Sequence, residues 1–212
     1  GYRDVDSELA PMRPGGLVVV TAYSGGGKSI VVGNLAFEAS QYQGKRALVH
    51  ALEMSRLELG QRWASWLHEI NLGRIARGQL HASEAVMVEE THLLTQNADN
   101  LIVDDSPYLS LPQLRASIRA HKPDLVVVDQ LPLMTPPDAR VSREQQMTAL
   151  AYGLKQLAKD EHVVIVAAAQ LNADATKRKS PEPTLHDLRE SKAIAHAANW
   201  VVALHDPTGG ER

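Results

Sequence analysis

The sequence predicts an α/β fold with a mostly parallel central sheet flanked by helices, and three observations lead there. Short β-branched runs alternate with longer helical patterns along the whole chain, as strand–helix–strand units do. The runs Leu125 to Val128 and Val163 to Ala169 are apolar without alternation, as expected of strands buried on both faces. A glycine-rich turn joins the first run to the first helical pattern.

The elements follow in order. The lead-in through Gly16 mixes charge, Pro and Gly, and Leu17 to Ala22 is the first strand. Ser29 to Ser40 is the first helix, Arg46 to His50 the second strand and Ser55 to His68 the second helix. Asn71 to Gln96 is helical, in two or three pieces broken near Gly73 and Gly78. Leu101 to Val103 is a further strand, and Leu111 to His121 a helix with Ser110 as N-cap and Pro112 in its first turn. Ser142 to Asp160 is the helix between the two long apolar strands, and Val201 to Leu204 is the last strand. Two loops, Pro132 to Ala139 and Lys177 to Pro183, follow the C-terminal ends of strands, the edge at which open parallel sheets bind ligands.

Composition sets bounds. The 212 residues suit one α/β domain spanning 1–212, and aromatic residues at 4% leave the core to Val, Leu, Ile and Ala. With 22 Lys and Arg against 25 Asp and Glu, the formal charge of -3 gives no whole-chain attraction to nucleic acid, so any such contact needs a local basic patch. There is no cysteine, no signal-peptide pattern and no apolar run long enough to cross a bilayer. The expectation is a cytoplasmic protein with no membrane partner. The nine histidines show no metal spacing. Trp63 and Trp66, three apart on one helix, read as packing or a subunit interface.

The strongest chemical signal is Ala22-Tyr-Ser-Gly-Gly-Gly-Lys28-Ser29, between a strand and a helix as a phosphate-binding loop requires. Ser24, Gly25, Gly26 and Gly27 bring backbone N–H groups against phosphate oxygens, helped by the dipole of the following helix. Lys28 supplies a charge to the β- and γ-phosphates, and the Ser29 hydroxyl can coordinate Mg²⁺. The strict pattern has Gly at the position of Ala22. The plain alternative is a flexible turn with an exposed lysine. Such a site needs a carboxylate at the end of a buried strand, and Asp129 after Leu125-Val-Val-Val is preferred over Asp104 and Asp105, whose strand is shorter. That pair also fits a helix-capping turn with Ser106 and Pro107. Glu53, just past the second strand, is placed to act on an attacking water, or to favour a helix dipole as a first-turn acid. Gln170 ends a buried strand and either senses the γ-phosphate or is an ordinary polar terminus.

Together these segments resemble the motor domain of the DnaB-family replicative helicases, within the RecA-like P-loop NTPases. The matching stretches are Gly16 to Ser29, Ala51-Leu-Glu-Met54, Val127-Val-Asp129-Gln-Leu-Pro-Leu-Met134, Leu154-Lys-Gln-Leu-Ala158, Ala169-Gln170-Leu-Asn172 and, most specific, Leu185-His-Asp187-Leu-Arg189-Glu190-Ser191. The resemblance implies an ATP- and Mg²⁺-dependent DNA helicase. Lys28, Glu53, Asp129 and Gln170 would be catalytic, Arg62 would face the nucleotide, and Ser29 and Asp129 would hold the metal. Arg189, Glu190 and Lys192 fall where the family's loop touches single-stranded DNA. Lys177, Arg178 and Lys179 add positive charge nearby, which fits phosphate tracking but is also compatible with a solvated loop. The implied assembly is a homo-hexamer or other ring or filament, with a primase or a loader as possible partner.

The chain departs from the family pattern in places. Lys192 stands where Gly is usual, Gln130 where an aromatic is usual after the Walker B aspartate, and Tyr23 where Arg-Pro is usual. The expectation is that this stretch carries neither the family's N-terminal helical domain nor its late Lys and Arg pair, as either a fragment or a divergent relative would. A stretch lacking that finger is expected to bind ATP and hydrolyse it slowly, since a finger contributes about 10³- to 10⁵-fold. Two other readings are open: a RecA- or RadA-type recombinase that forms filaments, against which the Asp187-Leu-Arg-Glu-Ser191 segment speaks, and a non-motor ATP-binding loader or regulator.

Overall fold

A computed structural model describes residues 11–171, 182–184, 187 and 192–205. The described elements, in chain order, are β1 (Leu17–Ala22), α1 (Lys28–Gln41), β2 (Ala47–Ala51), α2 (Arg56–His68), α3 (Leu72–Ala76), α4 (Ala82–Asn97), β3 (Leu101–Asp104), α5 (Leu111–His121), β4 (Leu125–Asp129), a 3₁₀ turn (Leu131–Leu133), α6 (Arg143–Asp160), β5 (Val164–Gln170), α7 (Lys192–Ala197) and β6 (Trp200–Ala203). The six strands form one sheet in the order β3-β2-β4-β5-β1-β6, and every pairing is parallel.

The strand period of two divides the apolar residues between two layers. Leu17, Val19, Leu48, Val126, Val128, Ile165 and Ala167 face one layer, covered by Leu114 and Ile118 of α5, Leu150 and Leu154 of α6 and Ile194 of α7. Val18, Val20, Val49, Val127, Val166 and Ala168 face the other, covered by Val32 and Phe37 of α1 and by Leu59 and Trp63 of α2. Helices on both faces explain why β1 is buried along its whole length and why its sequence does not alternate.

Helix boundaries follow local chemistry. Ser55, Ser110 and Ser142 each cap a helix reciprocally with the residue three positions on, Glu58, Gln113 and Gln145. The helical region after Ile70 differs from the sequence expectation. It does not break at Gly73, which lies within α3, because the Asn71 side chain caps that helix. The break comes at Gly78, whose φ of 65° is the left-handed geometry that a helix cannot continue through. The last strand starts at Trp200 and ends at Ala203, one residue earlier than expected at each end.

Candidate functional site

β1, β4 and β5 are adjacent or nearly so in the sheet and parallel, so their C-terminal ends open on one edge. The chain leaves β1 at Ala22 and enters α1 at Lys28 within one tight loop. Gly27 caps α1 at φ 82°, a conformation that a side chain resists. A Cβ on Gly26 would lie 2.8 Å from the Ala22 Cβ and 3.0 Å from the Tyr23 carbonyl oxygen, so the loop closes only on glycine. The alanine that departs from the usual motif is itself the contact that excludes a side chain at Gly26. Ser24 and Gly25 are exposed, and the first turn of α1 carries no acidic residue that would compete for an anion.

Lys28 is the first residue of α1 and is 7% exposed. Its Nζ lies 3.9 Å from Oε2 of Glu53, whose side chain is 43% exposed. Ser29 Oγ donates to Oδ1 of Asp129 at 3.1 Å. Asp129, 3% exposed, ends β4 in register with Ala51 of β2. Burial pushes its carboxyl above the usual range; the Ser29 hydrogen bond opposes this, the Glu53 charge adds to it, and Lys28 and Arg62 oppose it. A buried carboxylate and a hydroxyl converging on one point are the hard oxygen donors that Mg²⁺ takes, and a dication there would offset the cost of burying the charge. The donor set therefore fits the metal.

Glu53 is held by the backbone as well. The Asp129 carbonyl accepts the N–H groups of Leu52 at 2.7 Å and Glu53 at 3.2 Å, which ties the segment after β2 to the end of β4. The peptide bond between Asp129 and Gln130 is cis. Arg62 is half-buried on α2, and its charge is felt at Asp129. Gln170 is the exposed last residue of β5, in register with Ala22 where the phosphate loop begins. The rival carboxylates have other duties. Asp105 accepts the N–H of Arg56 and so caps α2, and Asp104 accepts the N–H of Ser106 and faces Nδ1 of His50 at 3.5 Å.

The sequence-predicted residues at this edge thus come together: Lys28, Ser29, Glu53 and Asp129 lie within one cluster of contacts. Gln130, which the sequence marks only as a departure from the family's usual aromatic, joins this cluster. Its Nε2 donates to Glu53 Oε2 at 2.8 Å. The available signal was its position directly after Asp129, where a polar residue in an apolar run asks for a partner. Of the DNA-contact candidates, Lys177, Arg178, Arg189 and Glu190 lie outside the described residues, and Lys192 begins α7. Asp187, within the Asp-Leu-Arg-Glu-Ser segment, is buried and accepts from the Thr184 N–H at 2.8 Å and the Thr184 hydroxyl at 2.9 Å. Among the described residues no group of three or more His, Cys, Asp or Glu is arranged for a metal, and no helix is long and apolar enough to cross a membrane.

Comparison with known proteins agrees with this geometry. The model of the DnaB-like helicase C terminal domain family matches residues 1–210. The chain is 31% identical over 216 residues to the replicative DNA helicase DnaB of Leifsonia xyli subsp. xyli, covering 100% of this chain and 47% of that protein. It is 30% identical over 211 residues to the replicative DNA helicase DnaB of Pasteurella multocida, covering 97% and 45%. The chain therefore spans about half the length of the curated relatives it matches. Among solved structures, one described as an ATPase domain superposes with a TM-score of 0.85 at 23% identity, covering 100% of this chain and 76% of that one. A DnaB-like replicative helicase, described with its interactions with primase, superposes with a TM-score of 0.84 at 23% identity, covering 94% and 49%. Both likenesses bear on the RecA-like fold.

Proposed function

The chain belongs to the DnaB-like helicase C-terminal domain family, and from that premise we propose that it is one ATPase motor domain that couples ATP hydrolysis to movement on single-stranded DNA. The observation that carries this is the Ser29–Asp129 contact at 3.1 Å, with the Lys28 ammonium 3.9 Å from the Glu53 carboxylate beside it. That arrangement offers a cation for the phosphates, oxygen donors for a metal and a carboxylate for the attacking water, three of the parts that phosphoryl transfer to water uses. The loop N–H groups at Ser24, Gly25, Gly26 and Gly27 receive the phosphate oxygens, and Lys28 neutralises charge on the β- and γ-phosphates. Ser29 and Asp129 would hold Mg²⁺, which supplies further neutralisation when bound. Glu53, solvent-accessible on one side and hydrogen-bonded on the other, orients the attacking water and accepts its proton. Arg62 offsets negative charge around Asp129. Gln170, at the end of the strand beside the phosphate loop, carries the state of the γ-phosphate toward the segment that follows β5.

In this reading that segment grips DNA through Arg189, Glu190, Lys192, Lys177 and Arg178. Contacts go to the phosphate backbone and carry no sequence preference. We further propose that it assembles as a homo-hexameric ring with nucleotide between subunits, and that it docks a loader or a primase, the partner with which one of the superposed helicases is described.

The test is ATP hydrolysis with and without single-stranded DNA, in the chain and in Lys28→Ala. DNA-stimulated turnover that disappears in Lys28→Ala supports the motor. Tight ATP binding with background turnover under both conditions rules out a self-sufficient motor and favours a nucleotide-binding module.

A further inference from the structure

We infer that Gln130 is a positioning residue for water activation, holding the Glu53 carboxylate in the orientation that hydrolysis needs; this rests on the role proposed for Glu53. Gln130 is 8% exposed. Its Nε2 donates to Glu53 Oε2 at 2.8 Å, and the same oxygen lies 3.9 Å from the Lys28 ammonium. One carboxylate oxygen is thereby engaged by the amide hydrogen bond and faces the ammonium at ion-pair distance, and Oε1 is left to meet a water. The donor comes from the residue next to Asp129, whose carbonyl accepts the Glu53 N–H. Side chain and backbone of Glu53 are thus both referenced to the end of β4, where the metal-site carboxylate stands.

The other end of the Gln130 amide, Oε1, is buried and accepts no hydrogen bond among the described residues. A buried amide oxygen without a partner is destabilising, and an apolar side chain of the same length would avoid that cost. Turning the amide over would set its oxygen against the Glu53 carboxylate, so the site holds one orientation. Packing alone would select Met or Leu here, as it does at the neighbouring Leu131, which is fully buried. What the glutamine adds is the donor to Glu53. Glu53 itself loses little by giving up that bond, because its side chain is 43% exposed and water can replace it. The stability effect of losing the donor is therefore small or favourable, while the effect on a reaction that depends on carboxylate orientation is large; misplacing a catalytic group by about 1 Å costs on the order of 10²-fold.

The experiment compares the chain with Gln130→Met, Gln130→Glu and Glu53→Gln. It measures the single-turnover rate of phosphate release from ATP, the affinity for ADP and the melting temperature. The expected result for Gln130→Met is a melting temperature equal to or above that of the parent, an unchanged ADP affinity and a release rate about 10- to 100-fold lower. Gln130→Glu keeps the shape but presents a donor only when its carboxyl is protonated. Its rate relative to the parent should recover as pH is lowered, a dependence that a packing role would not produce. A Gln130→Met protein that keeps the parent rate while Glu53→Gln loses it overturns this inference and leaves the role of Glu53 standing. A Glu53→Gln protein with the parent rate overturns both. Should Gln130→Met melt well below the parent, the packing role is correct and the positioning role is not.

Discussion

Asp129 carries a carboxylate into a position where 3% of its surface meets solvent, and burial is the main reason its proton is held more tightly than usual. The folded state therefore binds more protons than the unfolded chain in the acid range, and stability from this group falls as pH rises through the folded value. At neutral pH the charge is a net cost to the nucleotide-free fold. Asp129→Asn is expected to raise the melting temperature of the nucleotide-free chain at neutral pH, with the gain shrinking on acidification. The same change should abolish the extra stabilisation that Mg²⁺ gives to bound ATP. His50 has the opposite sign of linkage. It is 2% exposed, and burial lowers its pKa from 6.5; Asp104 opposes the shift without overcoming it and His121 reinforces it. The unfolded chain then takes up the proton first, so stability is lost as pH falls below about 6.5 toward the folded value and is unaffected above it. The loss reaches about 1.4 kcal/mol per pH unit within that window. Melting curves between about pH 7.5 and pH 5.5 should show a steeper acid decline in the parent than in His50→Gln. Equal slopes would mean that His50 titrates normally.

The helix that follows Glu53 carries Arg62 toward the site and is placed by contacts outside it. α2 starts where Ser55 and Glu58 cap each other and where Asp105 accepts the Arg56 N–H. Two carboxylates at its N-terminus favour the dipole as well as satisfying open donors. Its inner face carries Trp63, 1% exposed, with its ring centroid 5.6 Å from that of Phe37 on α1. The helix bearing Lys28 and the helix bearing Arg62 are thus joined through Phe37, which meets both Trp63 and Trp66. Trp63→Ala should cost about 3–5 kcal/mol, read by denaturant unfolding, and should loosen nucleotide binding through α1. Trp66, 37% exposed and 6.0 Å from Phe37, marks the outer rim of the same cluster, so its replacement should cost much less. The apolar side chains on the open face of α4, Val86, Met87, Leu93 and Leu94, stand exposed and make no comparable core.

At the scale of the whole molecule, the phosphate loop and the carboxylates reach one edge because every strand pairing is parallel. A ligand there touches the ends of several strands and stabilises the fold as a unit. Nucleotide at about 100 times its dissociation constant contributes about 2.7 kcal/mol. For a domain of this size that is a rise of about 5–10 °C in melting temperature. Mg²⁺–ATP should produce that rise in the parent and little or none in Lys28→Ala. An equal rise in both would place the nucleotide elsewhere.

By itself, the sequence determined the local features. The unbroken apolar runs marked strands buried on both faces, Ser110 marked the start of a helix, and Gly25 to Ser29 marked the phosphate loop. Each of these depends on interactions within a few residues, so spacing alone reveals it. The tertiary structure decided what is built from distance. The order β3-β2-β4-β5-β1-β6 puts β4 beside β2, which brings Glu53 to Asp129 and Gln130 to Glu53 across 77 residues of chain. It also sends Asp105 to cap α2 and not to a metal site. Strand order depends on which helix faces pack against which side of the sheet. That is a contest among long-range contacts, and its outcome appears only when the chain is folded.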